Sequence, residues 1–251
     1  MNRLHALAAS TLLLAGTLAG SRSAAAEDRF RFELEGGAAW QLRNDFAVPG
    51  TTGTRIALDE ATTGPFAAFR GTLWADVSKR TSLRLLAAPL KTTASLTPDT
   101  PVEFNGTTFP AGQPLDVTYV FNSYRLSWVY RFKSSGPVAF RAGLTAKVRD
   151  ARIQLTGSGL DSTKSNVGVV PLLYGGVKWQ MTDTLALDLD LDAAAASQGR
   201  AEDVALRLEA KVSPKVDLFV GARTLEGGAD NNEVYSFAWF AYAVGGVAIR
   251  F

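Results

Sequence analysis

The side chains capable of chemistry in this sequence are carboxylates, guanidiniums and ammoniums set at every second position. Asp188, Asp190 and Asp192 alternate with leucines, Arg207, Glu209 and Lys211 with Leu and Ala, and Lys178, Asp217 and Arg223 flank them. An Asp-x-Asp-x-Asp run opens a calcium loop only when a glycine and a terminal Glu follow at set spacing, and neither is present here. The chain has no Cys, and its single His is His5. Acid–base work near neutral pH falls naturally to imidazole, and a Ser nucleophile usually needs one. The residues therefore predict no catalytic site, no metal site and no cofactor, and a protein that is not an enzyme. What they do predict is a wall of fixed charge.

The elements that must carry this wall are strands, because period-two alternation gives an extended chain two unlike faces. Ten segments alternate. In the first, Phe30, Phe32, Leu34, Trp40 and Leu42 oppose Arg31, Glu33, Glu35, Gln41 and Arg43. In the fourth, Tyr124, Leu126, Trp128, Tyr130 and Phe132 oppose Arg125, Ser127 and Arg131. In the fifth, alternation breaks at Asp150, which predicts a bulge there. Pro89 lacks a ladder donor and predicts a distortion in the third. Connections alternate long and short. The polar stretches 46–64, 95–116, 156–165, 197–202 and 226–232 read as loops, the second as a flexible one in which Phe104 and Phe109 could form an external contact site.

Both ends add to this pattern. Residues 1–5 are a short basic region, an apolar run reaches Gly20, and Ala24 and Ala26 fit an A-x-A cleavage site. Residues 1–26 are thus expected to be a cleaved signal peptide, and residues 27–251 the mature domain. Without Arg3 and Arg22 the 26 Lys and Arg fall to 24, equal to the 24 Asp and Glu, so charge offers no case for nucleic acid. At the other end, Tyr235 to Phe251 places only apolar or aromatic groups at odd positions and closes on Phe.

A signal, ten amphipathic strands and a C-terminal aromatic strand resemble the bacterial outer-membrane β-barrel superfamily. The resemblance implies an all-β fold, a closed antiparallel transmembrane barrel in the outer membrane of a Gram-negative envelope, with both termini at the short-turn, periplasmic end. Ten strands is the count; segments blurred by Pro and Gly leave eight or twelve as alternatives. The implied partners are outer-membrane lipid and the barrel-assembly machinery, which reads a terminal strand such as the one ending at Phe251, with a small solute or surface ligand as a further candidate. Ten strands is also the omptin number, yet the omptin Asp–His pair has no match here.

Parity then assigns an interior. One wall collects Lys178, Asp188, Asp190, Asp192, Arg207, Glu209, Lys211, Asp217 and Arg223. The other has Arg31, Glu33, Glu35, Arg70, Asp76, Arg84, Arg125, Arg131, Arg141 and Lys147. A small barrel has little room beyond its own side chains. A charge-filled interior in an envelope-structural or surface-contact protein is therefore the leading reading, and a narrow porin-like pore the alternative, with space left near Ala238, Gly246 and Ala248. Loop centres predict Asp192 opposite Arg207, Asp190 opposite Glu209, Asp188 opposite Lys211 and Lys211 opposite Asp217, with Lys178 reaching Asp188.

Phe251→Asp should lower the yield of folded, heat-modifiable barrel. A lipid-face charge costs only about 0–1 kcal/mol near an interface, so the loss lies in recognition during assembly. Wild-type yield in electrophoresis of unheated membranes would refute this.

Overall fold

The computed structural model describes residues 28–197 and 199–251; the leader expected over residues 1–26 lies outside them. The strands are β1 (Phe30–Ala47), β2 (Ile56–Ala57), β3 (Phe66–Asp76), β4 (Thr81–Ala88), β5 (Lys91–Leu96), β6 (Val102–Phe104) and β7 (Thr107–Phe109). They continue as β8 (Leu115–Arg131), β9 (Val138–Gly157), β10 (Leu160–Gln180), β11 (Leu185–Ala196), β12 (Gly199–Lys211), β13 (Val216–Asp230) and β14 (Tyr235–Arg250), and one short helix, α1 (Leu58–Ala61), follows β2. β4 and β5 are two halves of one stave interrupted at Pro89, and both pair with β8 in a single register. Antiparallel neighbours follow in chain order, and β14 pairs back onto β1, closing a barrel of ten staves.

Closure follows from the backbone. Hydrocarbon offers no partner for an N–H or C=O, so a sheet that crosses it must have no edge. The seam runs from Ala47 opposite Tyr235 down to Arg31 opposite Arg250. Below it Phe30 and Phe251 exchange two backbone hydrogen bonds of 3.0 Å and stack their rings at 5.7 Å. The outward face is apolar over a continuous belt. Val169 and Leu173 are 71% and 67% exposed, which in water would be a severe liability and in lipid is a solvent match. Phe132, Phe140 and Trp179 lie towards the turn end of this belt and Trp239 towards the loop end, the positions of interfacial aromatics.

Beyond the belt the logic of the strands inverts. β9 and β10 run for 20 and 21 residues, about twice the 9–11 a tilted strand needs to cross a bilayer. Their ladder is unbroken, and so is that of β8 with β9. The bulge expected at Asp150 is therefore absent. Odd residues face inward throughout β9, but the inward set changes from Thr145 and Lys147 to Ile153 and Leu155. The outward face changes from Leu144 and Val148 to Asp150, Arg152 and Gln154. Water replaces lipid outside the strand, so burial now requires apolar groups inside. For the same reason the loops expected over 156–165, 197–202 and 226–232 are mostly strand. Polar residues there such as Asp161, Thr163 and Glu202 face water while the hydrogen bonds continue to tight turns.

The two long connections fill this outer section. Phe46, Val48, Ile56, Leu58, Val102, Phe104 and Phe109 are buried in one apolar cluster with Leu115, Tyr119, Leu155 and Phe240. The stretch 95–116 is thus no flexible loop. Its β6–β7 hairpin turns Phe104 and Phe109 inward at 0% and 1% exposure. They belong to a plug and make no external contact site. Gln41 ties the plug to the wall: its Nε2 donates to Leu58 O at 3.0 Å and also to Thr62 O. The register of β1 slips between Gln41 and Arg43, which turns Asn44 and Phe46 inward and leaves Arg43 at the surface beside Asp45. Arg43 therefore leaves the inward face on which alternation had put it.

An epitope inserted between Ser158 and Gly159, at the tip of the β9–β10 hairpin, should be labelled by antibody on intact cells, and one between Ser134 and Ser135 should not. Reversed accessibility would reject this orientation.

Candidate functional site

The interior of the membrane section is an ion-pair lattice in two tiers. In the tier nearer the turns, Arg207 reaches Glu33 at 2.8 Å, Asp190 at 3.1 Å, Asp188 at 3.4 Å and Glu209 at 3.6 Å. Glu209 also receives Lys178 at 2.6 Å and Arg31 at 3.0 Å. Arg141 pairs with Asp188 and lies 3.3 Å from Asp190. Four cations meet four carboxylates. The guanidinium of Arg207 also lies over the Phe219 ring at 5.0 Å, and that ring occupies the space a Cβ at Gly246 would need. The room expected near Ala238, Gly246 and Ala248 is taken by Phe219 and, higher up, Phe240.

The second tier is centred on Asp203. Its carboxylate accepts from Arg125 and Arg223, both at 2.6 Å, and from Arg70 at 3.0 Å. Arg223 forms a two-pronged pair with Glu35 at 2.9 and 3.1 Å. Asp192 accepts from Arg84 at 2.5 Å, Arg125 at 2.8 Å and the Thr145 hydroxyl at 2.8 Å. The tiers meet through Tyr174, whose hydroxyl donates to Asp190 and whose ring lies 4.5 Å beneath the Arg84 guanidinium. Between them is a cavity of about 20 Å³, room for roughly one water.

The sequence-assigned residues therefore divide. Lys178, Asp188, Asp190, Asp192, Arg207, Glu209 and Arg223 all lie in this lattice. Asp217 lies in the turn-end rim, paired with Arg250. Lys211 stands opposite Asp217 as expected but is exposed at the turn end and joins no pair among the described residues. The β11–β12 register differs from expectation: Asp188 faces Arg207 and Asp192 faces Asp203. Ala196 and Gly199 are already a ladder pair, so the turn is shorter than a loop of 197–202, and each partner moves accordingly. Lys178 is opposite Asp188, yet its ammonium goes to Glu209. Asp203 was missed because Gly-Arg-Ala-Glu-Asp reads as loop. Continuing the odd parity of Arg207 and Ala205 two residues back would have found it.

Above the second tier the plug covers one side of the mouth, and the other side is open. There β8 to β13 and the β13–β14 turn enclose a cavity of about 480 Å³. Lys147 lies on its floor, 2% exposed, its ammonium 4.7 Å from the Phe121 ring centroid. Arg149 lies one inward step higher and donates to the Asn166 side chain, while its Nε is buried with no partner. At the rim Lys164 and Glu233 are 3.7 Å apart.

No protein-family model matches the chain, and no curated protein matches it in sequence. Solved structures do match in fold. The outer membrane protease OmpT from Escherichia coli superposes with a TM-score of 0.53 at 12% identity, over 89% of this chain and 97% of that one. The transport unit of the E. coli autotransporter AIDA-I gives 0.48 at 9%, over 90% and 91%. The translocator domain of NalP from Neisseria meningitidis gives 0.45 at 11%, over 90% of each chain. Identities this low speak to fold alone. Ten closed antiparallel staves, an apolar belt outside and charge within make this chain a β-barrel of the bacterial outer-membrane type.

Proposed function

We propose that the chain is a non-enzymatic, non-conducting outer-membrane barrel whose loop end makes its functional contacts outside the cell. The observation that carries this reading is the two-tier lattice: its side chains meet across the whole lumen and leave space for about one water between the tiers. A solute path would need these pairs to part, and separated buried charges are expensive. The plug of α1, β2, β6 and β7 obstructs one side of the mouth above. For catalysis, the lattice carboxylates are occupied by guanidiniums, and residues 28–251 contain neither His nor Cys. Assembly machinery acting on the β14 strand and lipid around the belt are the partners this reading includes.

In planar bilayers the purified barrel should give no discrete conductance steps at moderate salt; regular steps would assign a pore and reject this reading. Arg207→Ala removes the cation shared by four buried carboxylates, leaving three cations to four carboxylates in that tier, and should lower unfolding stability by about 3–5 kcal/mol, well beyond the lipid-facing Leu206→Ala, as read from denaturant midpoints in detergent. An unchanged Arg207→Ala midpoint accompanied by new conductance would mean a wet, charge-lined channel.

A further inference from the structure

The outer cavity carries more positive charge than its surroundings answer. In the second tier four guanidiniums (Arg70, Arg84, Arg125 and Arg223) meet three carboxylates (Glu35, Asp192 and Asp203). Lys147 and Arg149 stand directly above and add two more cations, neither of which pairs with a carboxylate among the described residues. The carboxylate at the cavity itself, Glu233, is at the rim, 81% exposed and engaged with Lys164. Lys147 is buried and Arg149 half-buried; a cation held away from water without counter-charge is costly, and an anion that brings its own charge relieves the cost. Arg149 Nε is a buried donor still lacking an acceptor.

Arg152, Asn166, Arg200 (paired with Glu226) and Ser236 also border the cavity, but most of the remaining lining is apolar. Ile153, Val170, Ala194 and Ala201 form the walls, with Tyr119 and Phe121 at the plug side. The small residues of β11 and β12 create the volume: larger side chains there would fill it. At about 480 Å³ the cavity is within the range of small-molecule sites, apolar walls with a few placed polar groups.

We propose that this cavity binds a small organic anion with an apolar body, its acidic group on Lys147 and Arg149 and its body against the aliphatic wall. The inference rests on the loop end being the contact end of a closed barrel. The walls select for the apolar body, and the floor selects for charge. Neither a sugar nor inorganic phosphate alone would use both.

The test uses the folded barrel in detergent with 2-naphthoate, its neutral analogue 2-naphthamide and inorganic phosphate, each titrated by calorimetry. Naphthoate should bind at least about tenfold more tightly than either comparator, the range of a charge-assisted hydrogen bond. Lys147→Met and Arg149→Gln should each weaken naphthoate about tenfold while the protein keeps its heat-modifiable mobility. If either variant misfolds, Ala194→Trp, which fills the cavity and leaves the cations alone, should abolish binding. Equal affinity for naphthoate and naphthamide, absence of binding, or unweakened binding in folded variants would overturn the proposal. Phosphate binding alone would overturn it too, by assigning the cations to a polar anion. Release of naphthoate trapped in proteoliposomes is a separate readout. Leakage would reject the closed barrel, whereas binding without leakage supports both readings.

Discussion

Everything in this fold depends on the seam between β1 and β14. A sheet in hydrocarbon with a free edge would strand one row of N–H and C=O groups without partners, so the membrane section exists only as a closed cylinder. Sixteen residue pairs, from Arg31–Arg250 to Ala47–Tyr235, make that closure. With ten staves the cylinder is narrow, and its bore is set by backbone geometry before any side chain is chosen. The interior must then be filled at that width. Here Arg, Asp and Glu span it, long guanidiniums from one wall meeting carboxylates from the other.

Filling a lumen with charge has a physical logic of its own. Outside is lipid, so one face of every strand is committed to apolar residues, and period two leaves the other face free for polar ones. Buried ion pairs add little net stability once their dehydration is counted, but a missing partner is heavily penalised. A lattice in which Arg207 serves four carboxylates and Asp203 three guanidiniums therefore penalises register slips strongly. This matters where a slip by one residue would otherwise turn charges to lipid. Balance is kept in the lower tier and lost in the upper one, where the bore opens into the outer cavity.

The second governing feature is the change of solvent along each strand. Within the bilayer β9 presents Leu144 and Val148 outward and Thr145 and Lys147 inward. A few residues higher it presents Arg152 and Gln154 outward and packs Ile153 and Leu155 inward. The same strand thus obeys two opposite burial rules without any break in its hydrogen bonding. Above this boundary the barrel is an ordinary water-soluble structure with an apolar core, supplied by the two long connections. The side of the mouth that the plug does not reach is lined by β11 and β12 residues such as Ala194 and Ala201, too small to fill it.

Much of this was readable from residue order alone, because lipid on one face imposes a period-two signal that survives without tertiary information. The ten alternating segments, the identity of the lipid face and most inward charges followed from parity, and closure from the need of a lipid-facing sheet to have no edge: Asp188, Asp190, Arg207 and Glu209 needed only their spacing. Parity does not contain register. Whether Asp192 meets Arg207 or Asp203 depends on where the β11–β12 turn closes, and that depends on hydrogen bonds continuing through Ala196 and Gly199 beyond the region where alternation is visible. Nor does it contain the position of the membrane boundary, at which apolar-inside replaces apolar-outside. For that reason Asp150 resembled a bulge, Phe104 and Phe109 resembled a loop surface, and Asp203 went unseen. Local spacing determines which face a residue is on, while what that face meets across the bore is set by the closing of the whole cylinder.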